Sequence, residues 1–377
     1  MSSPLPFVDL KAQYARLKPA IDARIRAVLD HGQYVMGPEI EELETALAAF
    51  CGARHCIAVA SGTEALRFPL MAEDIGPGDA VFLPGFTFPA TAEVVVAAGA
   101  TPVFVDVSET SYNIDTAALE AALARLKREG KLRPRAIMAV DLFGLPADYA
   151  ALDAIARRDN LLVIADAAQS FGAAAGNRAV GTLAPVTATS FFPAKPLGAY
   201  GDGGAILTDD AERTRVIRSI RNHGAGEDRY DIVRLGTNGR LDTLQAAVLL
   251  AKLEIFADEL TARERWASVY DEALGNRVVR PPRRADGRSA WAQYCIRVPN
   301  RERLRTRLSS QGIPTAIYYP RPLHQQPAYE RFGNGAGSLP VSERICHDIL
   351  ALPMHPYLDK GTIERIAGAV LEGLSAG

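Results

Sequence analysis

The 377-residue chain is 48% hydrophobic and 23% charged, an ordinary globular composition long enough for one large domain and a smaller one. Its formal charge of −2 provides no general attraction to nucleic acid or to an anionic membrane. Four cysteines and six histidines are few, and Cys51, Cys56, Cys295 and Cys346 have no companions to complete a zinc set, so free buried thiols and no bound metal are expected.

The opening MSSPLPFVDLKAQYARL has no apolar stretch behind a basic start, so no signal peptide is expected. Nor does any apolar run reach the roughly 18 residues of a membrane span. A cytoplasmic protein without a membrane partner is the expectation. Two helices, at about 10–30 and 38–50, lead the chain. From about 55 to 208, short apolar runs at 56–60, 80–83, 102–106, 136–141, 161–166, 187–192 and 203–208 read as strands. Helical patterns at 89–99, 115–128 and 147–158 separate several of them. Continuous apolar strands mean burial on both faces, the pattern of an α/β protein with a mostly parallel sheet. The last strands follow one another with little helix between them, so an antiparallel member is expected.

A single long helix is expected over 241–276, since no proline interrupts that stretch. PPRRADGR (281–288) reads as an exposed loop, with an anion site as the alternative. Strands at 293–298 and 314–319 and helices at 300–311, 340–349 and 360–374 suggest a small C-terminal α+β domain. The expected division is a large cofactor-binding domain over 1–250 and a small domain over 251–377, joined by the long helix.

Ligands of open α/β sheets sit beyond the carboxyl ends of the strands. After the first strand, Ala60-Ser61-Gly62-Thr63 opens a helix whose free N–H groups suit an anion, although a plain N-cap explains the same residues. After the fifth, Asp166 heads DAAQSFG and needs a cationic or hydrogen-bonding partner, as a pyridinium nitrogen, a metal ion or a helix end would be. After the sixth comes SFFPAKPLG. Lys195 is flanked there by small and apolar residues that lower its pKa and make its amine nucleophilic toward an aldehyde. Ser190, five residues earlier, offers a hydroxyl to a phosphate. Phe88 in PGFTF is either a stacking ring or a core residue. A phosphate cradle, a ring acid and a carbonyl-reactive lysine, in this order on consecutive strands, are together what a protein supplies to pyridoxal phosphate.

These residues lie in segments that resemble the DegT-type nucleotide-sugar aminotransferases: FVDLKAQY (7–14), HGQYVMGPEI (31–40), ASGTEAL (60–66), PGFTFPATAE (84–93), DAAQSFGA (166–173), TSFFPAKPLGAYGDGGAI (189–206), NGRLDTLQAA (238–247) and LPMHPYL (352–358). The resemblance implies the type I (aspartate aminotransferase-like) fold. It implies that Lys195 bonds to pyridoxal phosphate and carries the proton. Asp166 would hold the ring nitrogen protonated, Gln169 would contact the phenolic oxygen and Phe88 would stack on the ring. Gly62, Thr63 and Ser190 would hold the phosphate. Asn238 would reach the phosphate of a second subunit, giving a homodimer with shared sites. Arg240, Tyr318, Tyr319 and His324 would lie near the substrate.

Relatives with histidine in place of the lysine are dehydratases, so Lys195 points to transamination, with glutamate and 2-oxoglutarate as the donor pair. The TSFFPAKPLG, LHQQPAY and LPMHPYLD wording most resembles members that aminate carbon 3 of a UDP-sugar such as UDP-2-acetamido-3-oxo-glucuronate, in surface or lipopolysaccharide biosynthesis. Tyr318-Tyr319-Pro320 departs from the His-Tyr-Pro expected there. The alternatives are a dTDP-linked 3-keto or 4-keto-deoxysugar as substrate, or a regulatory relative that keeps the cofactor without turnover. A nicotinamide-dependent oxidoreductase is disfavoured because no G-x-G-x-x-G opens a βαβ unit.

Overall fold

The structure, a computed structural model, describes residues 5–228 and 230–375. Two helices, α1 (Leu10–His31) and α2 (Pro38–Cys51), come first, each stopped by a glycine in the left-handed region, Gly32 and Gly52. The central unit then alternates strand and helix: β1 (His55–Val59), α3 (Gly62–Ala72), β2 (Asp79–Pro84), α4 (Ala90–Ala97), β3 (Thr101–Val105), α5 (Thr116–Glu129), β4 (Arg133–Val140), α6 (Tyr149–Asp159) and β5 (Leu162–Asp166). A short hairpin, β6 (Ala174–Ala175) and β7 (Arg178–Ala179), precedes β8 (Val186–Ser190), β9 (Gly204–Thr208) and α7 (Ala211–Arg221). Side-chain caps fix several helix starts: Ser61, Asp115, Asp148 and Asp210 each accept a hydrogen bond from the backbone N–H three residues on.

Seven strands form one sheet in the order β1-β9-β8-β5-β4-β2-β3. All neighbours run parallel except β9, which is antiparallel to both β8 and β1. The expected antiparallel member is therefore β9, lodged between the first strand and the rest. One face is closed by a core that includes Leu43, Leu47, Leu123, Leu152 and Phe171. The other is closed by Leu66, Phe68, Val94, Val95, Ile217 and Ile220. Among the described residues no helix is long and apolar enough to cross a membrane. All four cysteines are buried and unpaired.

The single helix expected at 241–276 is two helices, α8 (Thr243–Leu253) and α9 (Phe256–Leu274), with Ile255 outside helical geometry at φ −111°, ψ 3°. No local residue type forces the break. Its cause is tertiary: Phe256 turns into the large core against Phe50 and Phe171, at ring distances of 5.4 and 5.9 Å. Farther along α9, Trp266, Tyr270 and Leu274 serve a separate core. The chain continues through β10 (Gly287–Arg288), β11 (Tyr294–Arg297), α10 (Arg301–Ser310), α11 (Pro340–Asp348), β12 (Ile349–Leu352) and α12 (Lys360–Ser375).

The strand expected at 314–319 is reduced to one bridge, Ala316 to Ala351, on the edge of β12 opposite to the one that β11 occupies along Tyr294–Arg297. Residues after 251 divide their burial. Ile296, Leu304, Ile363 and Val370 belong to the C-terminal core. Phe256, Leu260 and Ala290 belong to one face of the large sheet, and Leu323, Tyr329 and Leu339 to the other.

Candidate active site

The chemistry-bearing residues gather at the carboxyl ends of β1, β4, β5 and β8. Where β1 ends, Ser61 caps α3 and Gly62 lies flat against Ser190 at the end of β8. A Cβ on Gly62 would stand 2.6 Å from the Ser190 Cβ, so only glycine lets the helix start and the serine meet. The free N–H groups of Gly62 and Thr63 and the Ser190 hydroxyl thus face one small space, suited to an anion.

At the end of β5, Asp166 is 5% exposed. One oxygen accepts from Thr91 Oγ1 at 2.9 Å and the other from the Ala168 N–H at 3.3 Å. Burial raises its pKa above the usual carboxylate range, while Thr91, the Ala168 N–H and Lys195 pull the other way. One strand over, Asp141 is fully buried and pushed up to about 6 by burial. It accepts from Ser170 Oγ (2.6 Å), Tyr149 Oη (2.7 Å) and the Ala147 N–H (2.9 Å). Two acids side by side at strand ends, each held by donors, make this a strongly polarised corner of an otherwise apolar sheet.

Lys195 follows β8. Its N–H donates to the Phe192 carbonyl at 2.8 Å, which folds the segment into a tight turn. Burial lowers the pKa of its amine, and Asp166 is the charge that opposes the fall. No hydrogen-bond or ion-pair partner holds Lys195 Nζ among the described residues. A desolvated, unheld amine beside a buried acid is prepared to attack a carbonyl.

Phe88 is 54% exposed, so it stands free as a ring at the edge of the site, 6.3 Å from the Tyr319 ring. Phe86 sits 6.0 Å from the same tyrosine on its buried side. Gln169 bridges: its Oε1 accepts from the Phe143 N–H at 2.6 Å, and its Nε2 donates to Tyr319 Oη at 3.1 Å. Tyr318 packs on Phe7 and Tyr319.

Other sequence candidates are placed differently. His324 has 1% of its side chain exposed; its Nε2 bonds Glu343 Oε1 at 2.9 Å, and its buried Nδ1 has no partner among the described residues. Arg240 Nη1 donates to Asn222 at 2.7 Å, while its Nε is buried without a partner. Asn238, two residues before Arg240, is exposed and bridges to Asn222; its neighbour Gly239 accepts through its carbonyl from the Ala60 N–H at 2.9 Å. In the 281–288 loop, Arg283 is held by Asp271 and Glu264 and Arg284 by Asp286.

Sequence reasoning missed Thr91 and Asp141. The second had a signal: Asp141 closes the apolar strand AIMAVD just as Asp166 closes LLVIAD. Thr91 had none, being one of two threonines in FTFPATAE.

The set fits pyridoxal phosphate on its own terms: a half-buried, unheld amine, a buried acid, a helix-start cradle and an open aromatic face. Comparison with known proteins agrees. Residues 16–371 match the DegT/DnrJ/EryC1/StrS aminotransferase family. The UDP-2-acetamido-2-deoxy-3-oxo-D-glucuronate aminotransferase of Pseudomonas aeruginosa is 47% identical over 97% of this chain and 99% of its own. The UDP-N-acetyl-3-dehydro-alpha-D-glucosamine 3-aminotransferase of Acidithiobacillus ferrooxidans is 41% identical over 97% of each. A crystal structure of a DegT DnrJ EryC1 StrS aminotransferase from Brucella abortus is 52% identical, covers 98% of this chain and 99% of that one, and superposes with a TM-score of 0.96. The chain therefore belongs to the DegT/DnrJ/EryC1/StrS aminotransferase family and is a pyridoxal-phosphate-dependent transaminase.

Proposed function

We propose that this transaminase moves an amino group from glutamate to carbon 3 of a UDP-linked, N-acetylated keto-sugar, with UDP-2-acetamido-3-oxo-glucuronate as the favoured substrate. The observation that carries this reading is the agreement of two relatives, 47% and 41% identical, whose names both specify a UDP-sugar with its keto group at carbon 3. The product is a building block for surface polysaccharide or lipopolysaccharide, made in the cytoplasm. The dTDP-linked keto-deoxysugars are the second choice, favoured by a 39% identical relative named for a dTDP-3-amino sugar.

When bound, pyridoxal phosphate supplies the aldehyde that carries the amino group and a ring that takes up electrons. The protein's own residues do the rest. Gly62 and Thr63 N–H groups and the Ser190 hydroxyl bind the phosphate. Asp166 holds a proton on the ring nitrogen, and Gln169 orients the phenolic side from its bridge between Phe143 and Tyr319. Phe88 covers one ring face. Lys195 Nζ, whose pKa desolvation lowers, takes and returns the proton. Residues 1–250 supply most of this set, and Tyr318 and Tyr319 come from 251–377.

The working unit in this reading is a homodimer. Tyr34, Val35 and Met36 are 49, 51 and 43% exposed, and Ile232, Val233 and Leu235 are 57, 51 and 88% exposed. Val35 bridges to Asp242, which joins the first patch to the NGRLD segment that carries Asn238 and Arg240. A second copy covering these apolar residues would bring Asn238 and Arg240 to its site. Arg240 would then turn its unpartnered Nε toward a sugar carboxylate.

Mass spectrometry of products from purified protein, glutamate and a panel of UDP- and dTDP-keto-sugars tests the substrate. Amination of the UDP-3-keto-sugars with the uronate preferred is the expected result. Turnover of the dTDP-sugars alone would refute it. Comparing a 3-keto uronate with its neutral counterpart in Arg240→Ala tests the cation: equal losses would remove Arg240 from carboxylate recognition.

A further inference from the structure

Lys252 lies on α8 among Val248, Leu249, Leu250 and Ala251, all buried, and is itself 1% exposed. No carboxylate forms an ion pair with it among the described residues. An ammonium in such a place is expensive to desolvate, and a methionine would fill the space at lower cost. Burial pushes its pKa down to about 8, with Glu259 pulling in the opposite direction. Its Nζ donates to the Gly198 carbonyl at 2.6 Å and stands 4.1 Å from the Tyr200 ring centroid. Both partners belong to the loop that follows Lys195.

Gln245 lies seven residues earlier, about two turns along the same face of α8. Its Oε1 accepts from the Tyr200 N–H at 2.8 Å, and a Cβ on Gly201 would meet its Nε2 at 3.0 Å. The loop itself is doubled tightly back. Ala199 N–H donates to the Phe191 carbonyl at 2.7 Å, and a Cβ on Gly198 would stand 2.4 Å from the Pro193 carbonyl oxygen. Gly198 therefore rests on the backbone two residues before Lys195. On the other side, Tyr14 of α1 meets the Tyr200 ring edge-on at 6.2 Å. Whatever holds Gly198 and Tyr200 also holds the backbone from which Lys195 reaches.

We propose that Lys252, assisted by Gln245, is a positioning residue of the transamination, fixing the 196–201 loop so that Lys195 Nζ stands at its working place. The proposal rests on the reading of Lys195 as the amine that bonds the cofactor. Lys252 has no route into the site and touches no reacting atom. It acts through the Gly198 carbonyl and the Tyr200 ring. The geometry asks for a cation of this length: it must give a hydrogen bond at one side and lie on an aromatic face at the other.

The test uses the cofactor-loaded enzyme and four variants, Lys252→Met, Lys252→Arg, Gln245→Leu and Leu249→Ala. Leu249 is buried on the same helix within the large core and serves as the comparison for simple loosening. Three quantities are read: the pH titration of the cofactor's visible band, kcat and KM for the nucleotide-sugar, and Tm. Misplacing a reacting amine by a fraction of an ångström to an ångström costs about ten- to a hundredfold in rate. Lys252→Met should therefore lower kcat by about that factor with KM little changed, and should shift the pH midpoint of the band. Lys252→Arg should restore part of both, and Gln245→Leu should show a smaller shift of the same sign. Leu249→Ala should lower Tm and leave the midpoint in place. An unmoved midpoint and kcat in Lys252→Met would overturn the proposal, as would an equal shift in Leu249→Ala. If Lys252→Met does not fold, unmoved midpoints in Lys252→Arg and Gln245→Leu would overturn it. Borohydride reduction and peptide mapping of wild type separate the two levels. Label away from Lys195 defeats the underlying reading, whereas label on Lys195 with an unmoved midpoint defeats only the positioning role.

Discussion

Replacing Asp166 by asparagine should damage activity and spare the fold, and the two effects follow from the same burial. Asp166 is 5% exposed and carries a pKa raised by desolvation, so its charged form is held at a cost to folding. An amide of the same shape removes that cost. Its oxygen can still accept from Thr91 at 2.9 Å, but its NH2 would face the Ala168 N–H, now 3.3 Å from a carboxylate oxygen. Losing that acceptor costs about 1–3 kcal/mol and offsets the gain from discharging the site. The expected change in Tm is therefore small. Catalysis has no such compensation, because an amide cannot keep a proton on a ring nitrogen. Loss of one preorganised electrostatic contact is worth about 10²–10³ in rate, or ~3–4 kcal/mol. The assay follows the cofactor's visible band on mixing with glutamate, beside a thermal melt of the same sample. A variant within about threefold of wild type in kcat/KM would assign Asp166 to structure and refute the reasoning.

Gly62→Ala should weaken pyridoxal phosphate binding by about tenfold or more, ~1.4 kcal/mol, since its Cβ would lie 2.6 Å from that of Ser190; an absorbance titration showing normal affinity would refute the cradle. Gly368→Ala is the contrast, because nothing lies within 4 Å of its Cβ inside α12; it should raise stability by about 0.5–1 kcal/mol in a denaturant melt and leave the cofactor untouched. His355 is buried with both ring nitrogens unpartnered and its pKa is pushed down to about 4 from 6.5, so the unfolded chain takes up this proton first as the pH falls. Stability should drop between pH 6.5 and 4 by on the order of 3 kcal/mol through this residue, and His355→Gln should flatten that part of the pH profile. Mixing inactive Lys195→Ala and Asn238→Ala chains should restore some activity if sites are shared between subunits. No recovery, with mixed dimers shown to form, would mean that each site belongs to one chain.

Much of the site was legible because its residues announce themselves at strand ends. Asp166, Ser190 and Lys195 each follow an apolar run that could only be a buried strand, and the helix-start glycine sits where an anion site should. What escaped was decided by distant contacts. The break at Ile255 exists because Phe256 has aromatic partners at positions 50 and 171, which no local pattern reveals. The helix α7 was missed because AERTRVIRSIR is rich in charge and buries little beyond Thr214, Ile217, Ile220 and Arg221. The hold of Glu343, nineteen residues later, on His324 Nε2 is another contact that the local sequence does not reveal. The contact of Lys252 with the Gly198 carbonyl likewise joins residues 54 apart in sequence, which no local pattern announces.

The place of β9 in the sheet has a consequence for synthesis. β1 leaves the ribosome early, but its one neighbour in the sheet is β9, with Val59 facing Gly204. The helix start that follows β1 waits longer still, since Ala60 donates to the carbonyl of Gly239 and the lysine loop is gripped by Gln245 and Lys252. Pairings so distant in sequence close slowly and expose apolar surface meanwhile. A nascent chain therefore carries β1 and α3 unsheltered through most of translation, and it has no finished cradle until α8 has emerged. Cofactor capture therefore waits until about two-thirds of the chain has been made, and a chain arrested before Gly204 has no finished cradle to hold the cofactor.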